Sequence, residues 1–315
     1  MKHPYKTKSP ILLVLFNRAD KAQKLLSHIK QVAPPQLFIA VDGPREGNEQ
    51  DKVGIEANRK LLDFIDWDCE VKTLFQEKNL GVGKGPATAI SWFFDHVESG
   101  IILEDDCMPN LSFFKFCDEL LERYKDDTRV MQISGTNFLK GWKREEEYSY
   151  YFSEVGSCWG WASWARAWKH YDFYAKSIPE MVKKGYTKEF FFSHILERIA
   201  NDPNLDKDAW DFQWDYAKFL QSGLSIVPNT NTVLNIGLGD DSTHSFDSEK
   251  YHFENNEPLE FPLKHPPFVI KDVVSDQRYF KEFWQKSRAH RLKQKIKKVL
   301  PTEFLTVSKM LMSIW

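Results

Sequence analysis

A chain of 315 residues, 42% hydrophobic and 28% charged, can bury a sizeable core as one large domain or two small ones. A net charge of −2 supplies no basic field for nucleic acid, and no stretch approaches the ~18 apolar residues of a membrane span. The four cysteines (Cys69, Cys107, Cys117 and Cys158) form no Cys-x-x-Cys pair, which argues against a zinc or redox motif and fits a reducing compartment. The first ten residues lack the apolar region of a signal peptide, so the expected location is cytoplasmic.

Ile11 to Phe16 reads as a continuous apolar strand, followed by a helix from Asp20 to Val32 with Ala22, Leu25, Leu26 and Ile29 on one face. Pro34-Pro35 stops that helix. Leu37 to Val41 is a second strand, closed by the turn Asp42-Gly43-Pro44. Glu49 to Ile65 is helical, Val71 to Phe75 a third strand, Gly81 to Gly85 a glycine-rich loop, and Ala87 to Val97 a helix. Ile101 to Leu103 is the fourth strand, Leu111 to Tyr124 a helix and Val130 to Ser134 a further strand. Strands alternating with helices predict parallel βαβ units in an α/β sheet. Ligands of such sheets sit at the carboxyl ends of strands, where Asn17-Arg18, Asp42 and Glu104-Asp105-Asp106 all fall. The region 140–260 is aromatic and less regular, and is expected to pack on the same sheet as an acceptor-side half.

Gly100-Ile101-Ile102-Leu103-Glu104-Asp105-Asp106 carries the most chemistry. Three acids leaving a buried strand repel one another, and a divalent cation bridging to phosphate relieves that repulsion. The bland alternative is a solvated acidic loop. Asn79-Leu80-Gly81-Val82-Gly83-Lys84-Gly85-Pro86 matches neither Walker A nor GxGxxG, and reads as a flexible turn or as a helix N-terminus facing an anion. Trp161, Trp164 and Trp168, at helical spacing, predict three indoles on one helix face, either a core stripe or a wall against a sugar ring. Trp210-Asp211-Phe212-Gln213-Trp214 sets a carboxylate between large rings. Apolar surroundings would raise its pKa and suit a general base, whereas an N-cap or surface Asp is the plainer reading. The loop from Asn235 to His244, after a strand Thr232 to Leu234, offers Ser242, Thr243 and His244 to phosphate or metal, though a lone His is usually structural.

Taken in order, strand-Asn-Arg, strand-Asp-Gly-Pro, Asn-x-Gly, Leu-Glu-Asp-Asp, Trp-Gly-Trp, Trp-Asp-x-x-Trp and Ser-Thr-His resemble the GT-A fold glycosyltransferases related to N-acetylglucosaminyltransferase I, in particular their bacterial relatives. The resemblance covers roughly residues 9–250. It implies a Rossmann-like, mostly parallel central sheet flanked by helices. It also implies metal-dependent transfer of a sugar, with inversion, from a nucleotide-diphospho-sugar (UDP favoured) to an acceptor hydroxyl on a glycan, lipid-linked or protein acceptor in surface glycan synthesis. Asp106 would bind Mn²⁺ or Mg²⁺, with His244 as a further metal candidate. Glu104 and Asp105 would lie near the donor sugar and ribose, Arg18 and Asp42 near the base, with Asn79 in the same nucleotide-binding set. Asp211 would be the catalytic base, and Ser242, Thr243 and His244 would close over the diphosphate. Where that relative has two adjacent acids, this chain has Trp-Asp-Phe-Gln-Trp.

The expected organisation is a domain at 1–280, with a nucleotide-binding half at about 9–135 and an acceptor half at about 136–280, and a basic amphipathic tail at 281–315. The tail reads either as peripheral contact with an anionic inner membrane face or as a helix packed on the domain or at a homodimer contact. Two rival functions stand beside the first: a sugar-nucleotidyltransferase, which would want a basic, glycine-rich phosphate loop where Asn17-Arg18-Ala19-Asp20 stands, and a non-catalytic glycan-binding protein, which leaves the three acids unexplained.

Overall fold

Ile11–Leu15 forms β1, as an uninterrupted apolar run predicts for a strand covered on both faces. It leads into α1 (Ala19–Val32), β2 (Gln36–Val41), α2 (Glu49–Arg59), β3 (Glu70–Phe75), α3 (Gly81–Phe94) and β4 (Ser99–Glu104). Then follow β5 (Cys107–Pro109), α4 (Leu111–Arg123), β6 (Val130–Ser134), β7 (Tyr150–Ser153), β8 (Trp161–Trp164), α5 (Ala165–Trp168), α6 (Ile178–Lys183), α7 (Asp211–Leu220), β9 (Leu224–Pro228), β10 (Val233–Asn235) and α8 (Val273–Tyr279). The computed structural model describes residues 5–139, 142–144, 147–186, 210–237 and 256–285. The chain forms two compact units, Met1–Asp272 and Val273–Trp315. Among the described residues no helix is long and apolar enough to cross a membrane.

The central sheet has eight strands in the order β3-β2-β1-β4-β8-β6-β9-β7. Its first four strands are parallel, in the register Leu15 to Val41 and Val14 to Glu104. β8 runs antiparallel between β4 and β6, β9 runs parallel to β6, and β7 closes that side antiparallel. The α/β sheet is therefore as expected, and region 140–260 enters it as strands β7, β8 and β9. The chain steps outward from β1 to β2 and β3, then returns to put β4 on the other side of β1. The β1/β4 boundary is thus a topological switch point, where open α/β sheets form a ligand crevice.

Strand alternation divides the core into two layers. Leu13, Leu15, Leu25, Ile29, Phe113 and Leu120 belong to one, and Leu12, Phe38, Ile90, Phe93, Trp161 and Trp214 to the other. The edge strand β3 carries exposed Glu70 and a partly exposed Lys72, 3.3 Å apart. At the opposite edge β7 is met by Lys271, which bridges Phe152, while Asp272 N–H donates to the Phe152 carbonyl at 2.8 Å. Residues 5–9, ahead of β1, are fastened to α4. The Asp118 carboxylate accepts from the Tyr5 hydroxyl, from Thr7 Oγ1 at 2.9 Å, and from the Lys8 and Ser9 amides at 2.8 and 3.0 Å.

Three local expectations are corrected. The helix predicted over Glu49 to Ile65 ends at Arg59 and tightens into a 3₁₀ turn, Lys60–Phe64. Gly81 to Gly85 is no loop but the first turn of α3. Trp161, Trp164 and Trp168 do not share a helix face, because Trp161 and Trp164 lie in β8 three residues apart. Strand alternation sends those two indoles to opposite core layers.

Candidate active site at the carboxyl edge of the sheet

β4 delivers Glu104 to the edge, and the tight turn Asp105-Asp106 carries the chain into β5. β5 pairs with β10 (Cys107 opposite Asn235), and the Asp106 carbonyl accepts the Ile236 N–H at 2.8 Å. Gly237 packs so closely on Asp106 that a Cβ there would stand 2.2 Å from Asp106 Oδ2, so no larger residue fits without moving the acid. The described chain thus reaches position 237 beside the acids, and Ser242, Thr243 and His244 lie outside the described residues.

Arg18, at the end of β1, faces this turn. Its guanidinium pairs with both Asp105 oxygens, the Nε contact being 3.2 Å, and reaches Asp106 Oδ2 at 3.1 Å. Burial pushes the Asp105 carboxyl up to about 6, against the pull of Arg18 and with a push from Asp106. Burial, followed by repulsion from Asp106, Asp105 and Asp211, holds Glu104 well above the usual carboxylate range. Asp211 is therefore within electrostatic reach of Glu104, although it comes from α7 in the later half of the chain.

Asp211 opens α7 and is exposed, its Oδ1 accepting the Phe212 N–H at 3.0 Å. The expected enclosure of this carboxylate by rings is corrected: the rings face inward and the acid faces out. Trp210 and Trp214 are 6% and 0% exposed, and both pack against Trp161, with centroids 5.8 Å away in each case. Trp168 joins the same cluster and stacks on Tyr171 at 4.1 Å. This cluster is core, so it offers no face to a sugar. The half-buried Trp159, in edge contact with Phe138 at 5.2 Å, is the indole of the Trp159-Gly160-Trp161 motif that reaches the surface.

Asp42 and Asn79 meet each other one strand further out. The Asp42 carboxylate accepts the backbone N–H groups of Leu80 at 2.9 Å and Gly81 at 3.1 Å, and the Asn79 amide at 3.0 Å. The anion at the N-terminus of α3 is therefore the chain's own carboxylate. Burial raises the Asp42 pKa, and hydrogen bonds from the Leu80, Gly43 and Gly81 amides oppose the rise.

One further carboxylate near this edge, Asp51, carries no motif in the sequence. Asp51 is fully buried under the 42–48 turn and accepts from Asn17 Nδ2 at 2.8 Å and from Arg45 Nε at 2.7 Å. Asn48, three residues earlier, caps α2 by accepting the Asp51 N–H, which is the local signal that could have drawn attention to it. The Arg45 hydrogen bond is the largest influence lowering the Asp51 pKa, to about 2. A group whose folded pKa is depressed contributes stability in full above its unfolded value, about 4, and loses that contribution as pH falls through the folded value. The urea midpoint of the protein is therefore expected to fall between about pH 4 and pH 2 more steeply than that of Asp51→Asn. Parallel pH profiles for the two proteins would refute this.

Hard carboxylate oxygens of this kind suit Mg²⁺ or Mn²⁺. Among the described residues no group of three His, Cys, Asp or Glu side chains is arranged to hold a metal ion by itself. Asp106 Oδ2 is taken by Arg18, and Oδ1 has the Cys107 thiol at 3.7 Å. The described residues form no all-protein cage, and a cation at Asp106 would have to displace the Arg18 contact and take its remaining ligands from a bound molecule.

No family model matches the chain, and no curated protein sequence matches it. Solved structures do resemble it. Mouse xyloside xylosyltransferase 1, in its apo form, is 11% identical with a TM-score of 0.33, covering 67% of this chain and 81% of that one. The inositol-1-phosphate CTP transferase from T. maritima is 12% identical with a TM-score of 0.35, covering 78% and 94%. The bifunctional glycosyltransferase WbbM, also apo, is 9% identical with a TM-score of 0.35, covering 68% and 37%. At likenesses of this size, the functional reading is carried by the carboxylate edge.

Proposed function

We propose that the chain is an inverting glycosyltransferase that binds a nucleotide-diphospho-sugar, with UDP as the favoured nucleotide, at the β1/β4 edge. One observation carries the reading: Glu104, Asp105 and Asp106 gather at the switch point, and Asp211, brought from a distant helix, lies near enough to add to the repulsion on Glu104. An inverting displacement needs a base on the face of the sugar opposite the leaving group. The Asp105-Asp106 turn and the start of α7 are separate elements, so the two roles would fall to different parts of the chain. Asp211, exposed and at a helix N-terminus, would take the proton of an acceptor hydroxyl. Arg18 orients Asp105 and Asp106 and supplies positive charge beside the site of a diphosphate. Asp42 and Asn79 hold the α3 turn as the rim of the nucleotide side, with Asn17, Arg45 and Asp51 behind it. Asp106, with His244, would hold the divalent cation. That cation, when bound, would neutralise charge on the departing diphosphate.

Calorimetric titration of UDP-sugars with and without Mn²⁺ tests the proposal. Saturable binding that requires the metal is expected. Pyrophosphate release from a nucleoside triphosphate and a sugar phosphate would replace this reading with a nucleotidyltransferase. Glycan binding without any nucleotide affinity would replace it with a lectin-like protein.

A further inference from the structure

A fully buried lysine lies on the helix that bears Asp211. Lys218 sits on α7 with its side chain fully buried, seven residues after Asp211 and on the face that also carries Trp214 and Asp215. Its ammonium donates to Gln132 Oε1 at 2.6 Å and to Ser225 Oγ at 2.9 Å, and pairs with Asp215 Oδ1 at 2.9 Å. Those contacts use all three of its protons. Gln132 Oε1 also accepts the Trp214 indole N–H at 3.2 Å. The other end of that amide donates to the Ser157 carbonyl at 2.8 Å. The Ser157 N–H donates to Ser134 Oγ at 3.0 Å, and Ser157 Oγ accepts the Trp159 N–H at 3.1 Å. Gly156 leaves no slack, because a Cβ there would stand 2.5 Å from Gln132 Oε1.

One amide on β6 therefore ties together the helix that bears Asp211 and the 156–159 segment. That segment leads into β8, whose Trp161 pairs with Ile102 on the strand bearing Glu104. Packing of the Trp210 and Trp214 rings would tolerate small rotations of α7, whereas a lysine held by Gln132 on β6 and Ser225 on β9, its third acceptor Asp215 lying on its own helix, ties α7 to the sheet. A buried ionic group can often be exchanged for an apolar one at no cost in stability, so stability alone does not account for it. We infer that Lys218 and Gln132 are positioning residues that set the angle at which α7 presents Asp211 and, through Ser157, hold the 156–159 segment against the same edge. The functional half of this inference rests on the reading of Asp211 as the base.

The test combines an apolar double variant with a conservative one. Lys218→Met with Asp215→Leu removes the ion pair without stranding either charge. Amide hydrogen exchange is expected to quicken at least about tenfold at Ser157, at Trp159 and over residues 212–214, while the thermal midpoint stays near that of the parent. Turnover is expected to fall by about a hundredfold with the donor KM unchanged, as for a misplaced catalytic group. Gln132→Glu keeps the acceptor for Lys218 and Trp214 and loses the donor to Ser157. It should quicken exchange at Ser157 and Trp159 only, and it carries the test alone if the double variant does not fold. Unchanged exchange at Ser157 and Trp159 in a folded variant overturns the inference, as does full turnover in the folded double variant. The exchange readout is independent of the reaction. If Asp211→Asn retains turnover, the base reading falls while the node is judged by exchange.

Discussion

Asp211→Asn is expected to lower kcat by about 10²–10⁴-fold while leaving nucleotide-sugar affinity within a few-fold of the parent. The amide keeps the shape of the carboxylate and can still accept the Phe212 N–H, so the first turn of α7 should persist. What it loses is the ability to take a proton from the attacking hydroxyl. Its charge also disappears from the surroundings of Glu104, where it adds to the repulsion from Asp106 and Asp105. The pH–rate profile of the residual activity should therefore change shape as well as height, and kcat and KM measured across pH give the check. A variant that turns over at the parental rate would remove Asp211 from the mechanism.

The second large effect is on binding. Asp106→Ala is expected to abolish the difference between UDP-sugar affinities measured with and without Mn²⁺, raising Kd in its presence by about 100-fold or more, a change of about 3 kcal/mol. Asp106 is the acid against which Gly237 is packed, and it shares Arg18 with Asp105. Truncation therefore also frees the guanidinium to close wholly on Asp105. Asp106→Asn separates the two effects. It keeps the side-chain volume under Gly237 and an oxygen for Arg18, but lacks the charge a divalent cation requires. Titration calorimetry of both variants decides: metal-dependent affinity surviving in Asp106→Asn would reject the assignment of Asp106 as the cation ligand.

What could be read from the sequence followed the range of the interactions involved. β1, α1, β2 and β4 were legible because their signal is local: a short apolar run, or apolar residues at helical spacing, ended by prolines or acids. The placement of Arg18, Asp42 and Glu104 to Asp106 at one edge followed from parallel strands alone. β8 was misread because Trp161, Trp164 and Trp168 sit at helical spacing while the backbone around Trp161 is claimed by β4 and β6. Pairing with distant strands overrode the local pattern. The α3 turn read as a flexible turn or as a helix N-terminus facing an outside anion, because its glycines are local and its own anion is not. Asp42 lies 37 residues from the amide it meets at Asn79. The Lys218 node was hidden for the same reason, since Gln132 is 86 residues away and nothing near Lys218 in the chain marks it as buried. The sequence left Asp211 either enclosed by rings or at the surface, because only the fold decides which way α7 turns its first residue.

The two margins of the sheet bear on how the molecule behaves in company. An unguarded outer strand is a template on which a neighbouring molecule can add its own, and sheet proteins that aggregate commonly do so there. Here the margin at β3 presents the opposite charges of Glu70 and Lys72, and the margin at β7 already has its Phe152 carbonyl bonded to the Asp272 amide. A newcomer at either side would have to strip water from ions or displace an existing bond, so crowding at high concentration should not propagate the sheet from one molecule to the next.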